Sequence, residues 1–277
     1  ELRQVSANQW IASSVRASTS SFATPDIAVG AAKMTITQQE NGDAYVVSEH
    51  NTVRLGNMPI MYWPKYSGEI AKIPLRGINI GHEETKGFMF ETEWKLFSLL
   101  GVREPTGVSA DLHVDYYTKR GIGIGTDFNY HFGKNVGFLN AYLMSDSGEE
   151  KTSSGRKIDV TESTRGYALL ENEAKVSPNW TIQTQLSYIS DPTFMSVWRQ
   201  SDFLTHDEYE TSIYAKYQKQ NVGFTALAKY DLNQFISNSW LLASRQYKVD
   251  KAPELGYYRY ADSLFNGAVT WSSESRL

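Results

Sequence analysis

The chain has 277 residues, 13% aromatic and 21% charged, with a net charge of -4 at pH 7 and no cysteine. The acidic balance leaves no basic stripe, which argues against a nucleic-acid partner, and the missing thiols exclude disulfides and thiolate metal centres. No run approaches the roughly 18 apolar residues that a membrane-spanning helix needs, so any crossing of a bilayer would fall to strands.

No signal peptide is visible and the first residue is Glu1, so a processed or excised chain is expected. Residues 1–66 hold short alternating pieces at Trp10 to Val15, Ile27 to Thr37, Ala44 to Val47 and Thr52 to Leu55. Asn41-Gly42-Asp43 is a turn signal between two of them. This reads as a small all-β module. From about residue 69 the strands lengthen to the 9–11 residues of a tilted membrane strand.

From Gly107 to Phe132 the alternation is nearly unbroken. Val108, Ala110, Leu112, Val114 and Tyr116 share one face, and Ser109, Asp111, His113 and Asp115 the other. After the polar turn at Thr118, Lys119 and Arg120, Ile122, Ile124, Phe128, Tyr130 and Phe132 alternate with Gly123, Gly125, Asp127, Asn129 and His131. Side chains in a strand alternate faces, so this is a two-stranded hairpin.

A strand near Val136–Met144 follows, and then Ser145–Ser163, a long loop by composition. Gly166–Val176 and Trp180–Tyr188 flank the turn Ser177-Pro178-Asn179. Trp180, Ile182, Thr184, Leu186 and Tyr188 oppose Thr181, Gln183, Gln185 and Ser187. Tyr209–Tyr217 pairs with Val222–Leu232 across Lys219-Gln220-Asn221, with Val222, Phe224, Ala226, Ala228 and Tyr230 opposite Thr225, Lys229 and Asp231.

A soluble sandwich would turn the polar face outward, whereas an outer-membrane barrel puts the apolar face in lipid and the polar face in a wet lumen. Short turns alternating with long polar loops favour the barrel. Ile122, Ile124, Phe128, Trp180, Leu186, Val222 and Phe224 are then expected to face lipid. Asp111, His113, Asp115, Asp127, Asn129, His131, Gln183, Gln185, Lys229 and Asp231 are expected to face the lumen.

Other signals read blandly. Gly121-x-Gly-x-Gly125 lies inside a strand with no helix after it, so it marks a bend or crowded wall rather than a phosphate loop. His50, His82, His113, His131 and His206 lack paired ligand spacing, so neither a metal nor another cofactor is expected. His113 and His131, and the carboxylates Asp111, Asp115 and Asp127, read as solvated wall rather than as an acid–base site. No Gly-x-Ser-x-Gly elbow supplies a nucleophile. The chain is not expected to be an enzyme.

Asn57-Met-Pro-Ile-Met-Tyr-Trp-Pro-Lys-Tyr66 resembles the junction of the LptD (OstA) family of outer-membrane lipopolysaccharide-assembly proteins, where a "P-V-F-Y-x-P-Y" run links a periplasmic β-jellyroll to a barrel. Lys119-Arg-Gly-Ile-Gly-Ile-Gly-Thr-Asp-Phe128 is similar to that family's "R-R-G…E-F" strand, and Tyr188-Ile-Ser-Asp-Pro-Thr-Phe194 to its "V-S-D-P-x-Y/F" element. Ala252-Pro-Glu-Leu255 followed by Tyr257-Tyr258 resembles its "x-P-x-L-x-x-x-Y" stretch.

The resemblance runs from about residue 10 onward. It implies an all-β chain: residues 1–66 as the C-terminal part of a periplasmic jellyroll with its junction, and 67–277 as the N-terminal part of an antiparallel transmembrane β-barrel. It further implies lipopolysaccharide transport to the outer leaflet of a Gram-negative outer membrane. Expected partners are lipopolysaccharide, outer-membrane lipid, a plug lipoprotein of the LptE type and an LptA-like bridge protein. Proline cannot donate to a ladder, so Pro64 and Pro74 in the first strands would weaken a lateral gate.

The family's cysteines are absent here, and about 210 residues after the junction supply roughly 12–14 strands. The chain ends in mid-pattern at Val269 to Ser275, so a fragment is expected. The competing readings are another outer-membrane barrel such as a porin-like channel, an outer-membrane acyl hydrolase, and a soluble carbohydrate-binding β-sandwich.

Overall fold

The computed structural model describes residues 2–18, 27–38, 44–69, 74–102, 104–146, 150–151, 157–158, 163–205, 209–233 and 250–277. The turn signal at Asn41-Gly42-Asp43 and His206 lie outside them. The fold is all-β and antiparallel. By internal contacts it divides into two compact units, Glu1–Gly77 with Glu93–Pro105, and Ile78–Thr92 with Thr106–Leu277.

In the first unit, β1 (Leu2–Ser6), β2 (Gln9–Ala17), β3 (Ile27–Gln38), β4 (Ala44–Leu55) and β5 (Met58–Glu69) form a five-stranded meander in chain order. Their buried side chains are Ala12, Ala28, Ala31, Val46, Val53, Trp63 and Tyr66. Trp63 meets Trp94 edge to face at 5.4 Å between ring centroids, a favourable aromatic geometry.

The ladders skip one transverse row, Ser14, Ala32, His50 and Pro64. Ser14 and His50 have left-handed φ values of 53° and 52°, which cost energy for non-glycine residues. On β4 the buried face passes from Val46 and Ser48 to Asn51 and Val53 across this row. On β5 it passes from Tyr66 to Trp63. The row is a shared bend, and Pro64 sits where no ladder bond is formed, on an edge strand.

The second sheet has eleven strands in the order β18-β17-β16-β15-β14-β13-β10-β9-β8-β7-β6. These are β6 (Leu75–Glu83), β7 (Gly87–Lys95), β8 (Val108–Tyr117), β9 (Gly121–Phe132), β10 (Asn135–Ser145), β13 (Thr164–Ala174), β14 (Trp180–Ile189), β15 (Thr211–Lys219), β16 (Val222–Tyr230), β17 (Lys251–Leu264) and β18 (Val269–Arg276). A separate small hairpin pairs β11 (Glu150–Lys151) with β12 (Lys157–Ile158).

Among the described residues the large sheet is open, with β6 and β18 as its edges. It holds fewer than the roughly 12–14 strands expected from ~15–18 residues per strand and turn. The connections 146–163, 190–210 and 231–250 absorb the difference. The strand ends that lead into them lie at one end of the sheet with the tight turns at 84–86 and 118–120. The turns at 133–134, 175–179, 220–221 and 265–268 lie at the other end, and α1 (Leu96–Leu99) follows β7 in the chain.

Two glycines show why β9 is written Gly-x-Gly-x-Gly. Tyr142 of β10 lies flat across Gly123 and Gly125, and a Cβ on Gly125 would come within 2.5 Å of the Tyr142 ring and 2.9 Å of the Ala141 carbonyl oxygen. Contacts that short do not occur in close-packed interiors. The crowded wall expected at these glycines is therefore present, with an aromatic ring as its occupant.

Candidate functional site

In the first unit the five-stranded sheet lines an apolar cavity of about 540 Å³, walled by Val15, Ala28, Met34, Val46, Trp63, Tyr66 and Pro74. The adjoining polar side chains are quiet. Asn51, 2% exposed, donates to the Ser48 carbonyl at 3.4 Å. Alternation places Met34 and the exposed Lys33 on opposite faces of β3.

In the second unit the ladder registers carry one apolar face across the sheet. Val114 pairs with Ile124, and Leu143 with Ile124 on the other side; Leu170 pairs with Leu186, and Tyr217 with Phe224. All seven residues expected to face lipid lie on this one face. Many of its large side chains are exposed, Ile122 59%, Ile124 53%, Leu143 52%, Leu186 46% and Tyr188 59%, while Phe128, Val222 and Phe224 are half-buried. Such a continuous apolar surface far exceeds what water-facing monomers show.

The opposite face is polar and holds the buried groups. Asp111, His113, Asp115, Asp127, Asn129, His131, Gln183, Gln185 and Lys229 all project from it, while Asp231 follows the end of β16. His113 Nε2 lies 2.7 Å from Asp127 Oδ2. Asp115, 8% exposed, accepts from the Tyr142 hydroxyl at 2.6 Å and from the Thr92 amide at 3.2 Å. Lys229 pairs with Glu210. Gln183 donates to Glu173 at 2.9 Å and Gln185 to Glu171 at 3.2 Å, along a groove of about 620 Å³.

His113 and His131 are not neighbours: His113 pairs with Gly125, whereas the His131 amide donates to the Gly107 carbonyl. Among the described residues no cluster of three His, Cys, Asp or Glu side chains is placed to hold a metal. Pro64 and Pro74 do not lie together in one strand or one ladder. Pro64 is in the bend of β5, and Pro74 is buried just before β6, its carbonyl accepting from the Lys95 amide at 2.6 Å.

The helical part of the polar face escaped the sequence reading. After β14, residues 190–205 fold onto this face and carry α2 (Phe194–Trp198) and α3 (Gln200–Leu204). An aspartate turn starts it, as Asp191 Oδ1 accepts from the Thr193 amide at 3.1 Å and the Thr193 hydroxyl at 2.9 Å. Arg165 grips Asp191 through two bonds of 2.8 Å and reaches Asp146 at 2.7 Å. Arg120 grips the same Asp146 at 2.7 and 2.6 Å. The side chains of Arg120, Arg165 and Asp146 are each 1% exposed.

Burial opposes ionisation of Asp191, but the bonds from Arg165, Ser190 and Thr193 outweigh it and hold its carboxyl below the ordinary range. Phe194 and Met195 are fully buried against Tyr142, Met144 and Tyr167. Arg120 and Asp191 stand within the quoted motifs and Arg165 just before the Gly166–Val176 strand, but nothing local marks them as partners of one another or of Asp146.

No protein-family model matches the chain. Over 160 residues it is 22% identical to the LPS-assembly protein LptD of Xanthomonas oryzae pv. oryzae strain MAFF 311018, and equally to that of strain KACC10331 / KXO85. The match takes in 56% of this chain and 18% of each relative, so it spans about a fifth of the relatives' length.

Proposed function

We propose that the chain is part of an outer-membrane lipopolysaccharide-assembly protein, a transport component rather than an enzyme. The observation that carries this reading is the inverted burial of the eleven-stranded sheet, whose apolar face carries exposed large side chains while its polar face holds the buried charges. Only a lipid environment stabilises that arrangement without a second covering layer. The similarity to LptD supplies the cargo. Acyl chains would occupy the apolar cavity of the five-stranded sheet, and sugars and phosphates the polar face.

In this reading the exposed apolar face meets outer-membrane lipid, and the five-stranded sheet lies in the periplasm. An LptA-like bridge protein would pair with an edge of that sheet. A plug lipoprotein of the LptE type would fill the lumen. The lateral gate would lie at β6, where Pro74 precedes the edge strand, with Pro64 shaping the bend of β5. A porin-like channel would share the large sheet but has no use for an apolar cavity of 540 Å³.

The test is photo-crosslinking in living cells that carry the full-length protein. A benzophenone side chain at Met34 should capture lipopolysaccharide, and the same group at Lys33 should not. Absence of adducts at both positions would remove the transport reading.

A further inference from the structure

We infer that Ser48, Asn51 and Trp63 form a hydrogen-bonding station inside the apolar cavity of the first unit, and that its ligand is the carbonyl oxygen joining an acyl chain to its sugar. This rests on the transport reading above and names the part of the cargo that the cavity recognises. All three residues line the cavity, and each is less than a tenth exposed. Around them the walls are hydrocarbon, from Val15, Ala28, Met34 and Val46.

The bend makes the station. In an unbroken strand, residues 48 and 51 would point to opposite faces. Because β4 leaves its ladders at His50, both side chains lie on the buried face. Ser48 stands abreast of Met34 and Tyr66, and Asn51 abreast of Ala31 and Trp63. The polar groups therefore sit at mid-cavity, with apolar wall to either side along the strands.

Quiet toward the rest of the chain, these groups are left for a ligand. The Trp63 indole nitrogen is buried with no hydrogen-bond partner. Among the described residues Asn51 makes one side-chain hydrogen bond, to the Ser48 carbonyl, and at 3.4 Å it is longer than the usual N–H···O range. A buried donor without a good partner is costly and calls for an explanation. What the three side chains offer in common is an N–H or O–H, so an acceptor oxygen is the ligand that fits. Hydrocarbon walls with a few polar groups that fix orientation are the ordinary make-up of a pocket for a small apolar molecule. An acyl chain bound to a sugar presents one such acceptor, its ester or amide carbonyl, followed by hydrocarbon.

The experiment uses the purified full-length protein with a benzophenone side chain at Met34, and two probes of matched length, methyl tetradecanoate and hexadecane. Adducts are measured by mass spectrometry. The ester should be captured several-fold more than the hydrocarbon. Asn51→Leu, similar in shape but without a donor, should bring ester capture down to the hydrocarbon level while hexadecane capture holds. A purely structural asparagine would lower both probes together, and that result overturns the inference. So does equal capture of the two probes before substitution, or an ester preference that survives Asn51→Leu. If Asn51→Leu does not accumulate, Trp63→Phe decides by the same comparison, because it deletes the indole N–H and keeps a ring against Trp94. Capture of neither probe would take the transport reading down as well, whereas a missing ester preference alone leaves that reading standing.

Discussion

Arg165 shows what one residue can hold. Its guanidinium spans two carboxylates with every contact buried, so losing one partner leaves an uncompensated charge. Asp191→Ala is expected to cost about 3–5 kcal/mol, read as a lowered urea midpoint.

The acid response has a definite sign. Because the folded carboxyl of Asp191 lies below its unfolded value of about 3.9, its contribution is complete above that pH and is lost as pH falls through the lowered value. Amide exchange protection at Arg199 and Phe203 should therefore stay level from neutral pH to about 5 and drop only below about 4. A decline between pH 7 and 5 would point to another group. At the same scale, Gly125→Ala drives a methyl into Tyr142 and should cost about 1–3 kcal/mol. Gly223→Ala meets nothing closer than 3.5 Å and should be nearly silent.

A strand of this sheet keeps two chemistries on its two faces, and a substitution should be judged by the face it enters. Arginine at Ile124 or Leu186 is expected to cost about 2–4 kcal/mol, and arginine at Gln183 or Gln185 little. Refolding into lipid vesicles under graded urea measures both, and equal costs would mean the faces are misassigned.

These faces were legible in the sequence because alternation is a local property: β8, β9, β14 and β16 could each be read alone, and the ladders then aligned them. The clamp of Arg120, Asp146, Arg165 and Asp191 was not legible, because three of its members come from three separate connections and the fourth from the start of β13, and only the folded sheet brings them together. The bend at Ser14, Ala32, His50 and Pro64 was hidden for the same reason. Its only local sign is one proline, which the gate reading had claimed.

At the scale of the whole molecule the two edges of the large sheet set its behaviour. β6 and β18 each present unpaired backbone groups among the described residues, and a bilayer leaves such groups no partner. Residues 1–277 expressed alone should aggregate or stay protease-sensitive in detergent. A monodisperse, heat-modifiable monomer would show that the edges satisfy each other. Within the full-length protein, Pro74→Ala restores one donor beside the edge strand, worth about 0.5–1.5 kcal/mol if it pairs. Slower appearance of surface lipopolysaccharide at unchanged protein abundance is the expected result.

The tyrosine lying across Gly123 and Gly125 also bears on how the strands find their alignment. A slip of two residues leaves each face its own chemistry and lets the backbone ladder re-form, so neither polarity nor hydrogen bonding detects the error. Tyr142 does detect it. In the native pairing it stands opposite Gly125 and its hydroxyl reaches Asp115. Slipped one way, the ring would stand opposite Asp127, where there is a side chain instead of a slot. Slipped the other way, it would still find Gly123, but its hydroxyl would overshoot Asp115. Only one offset satisfies both shape and hydroxyl. The three strands β8, β9 and β10 together therefore select their own alignment before later strands inherit the offset.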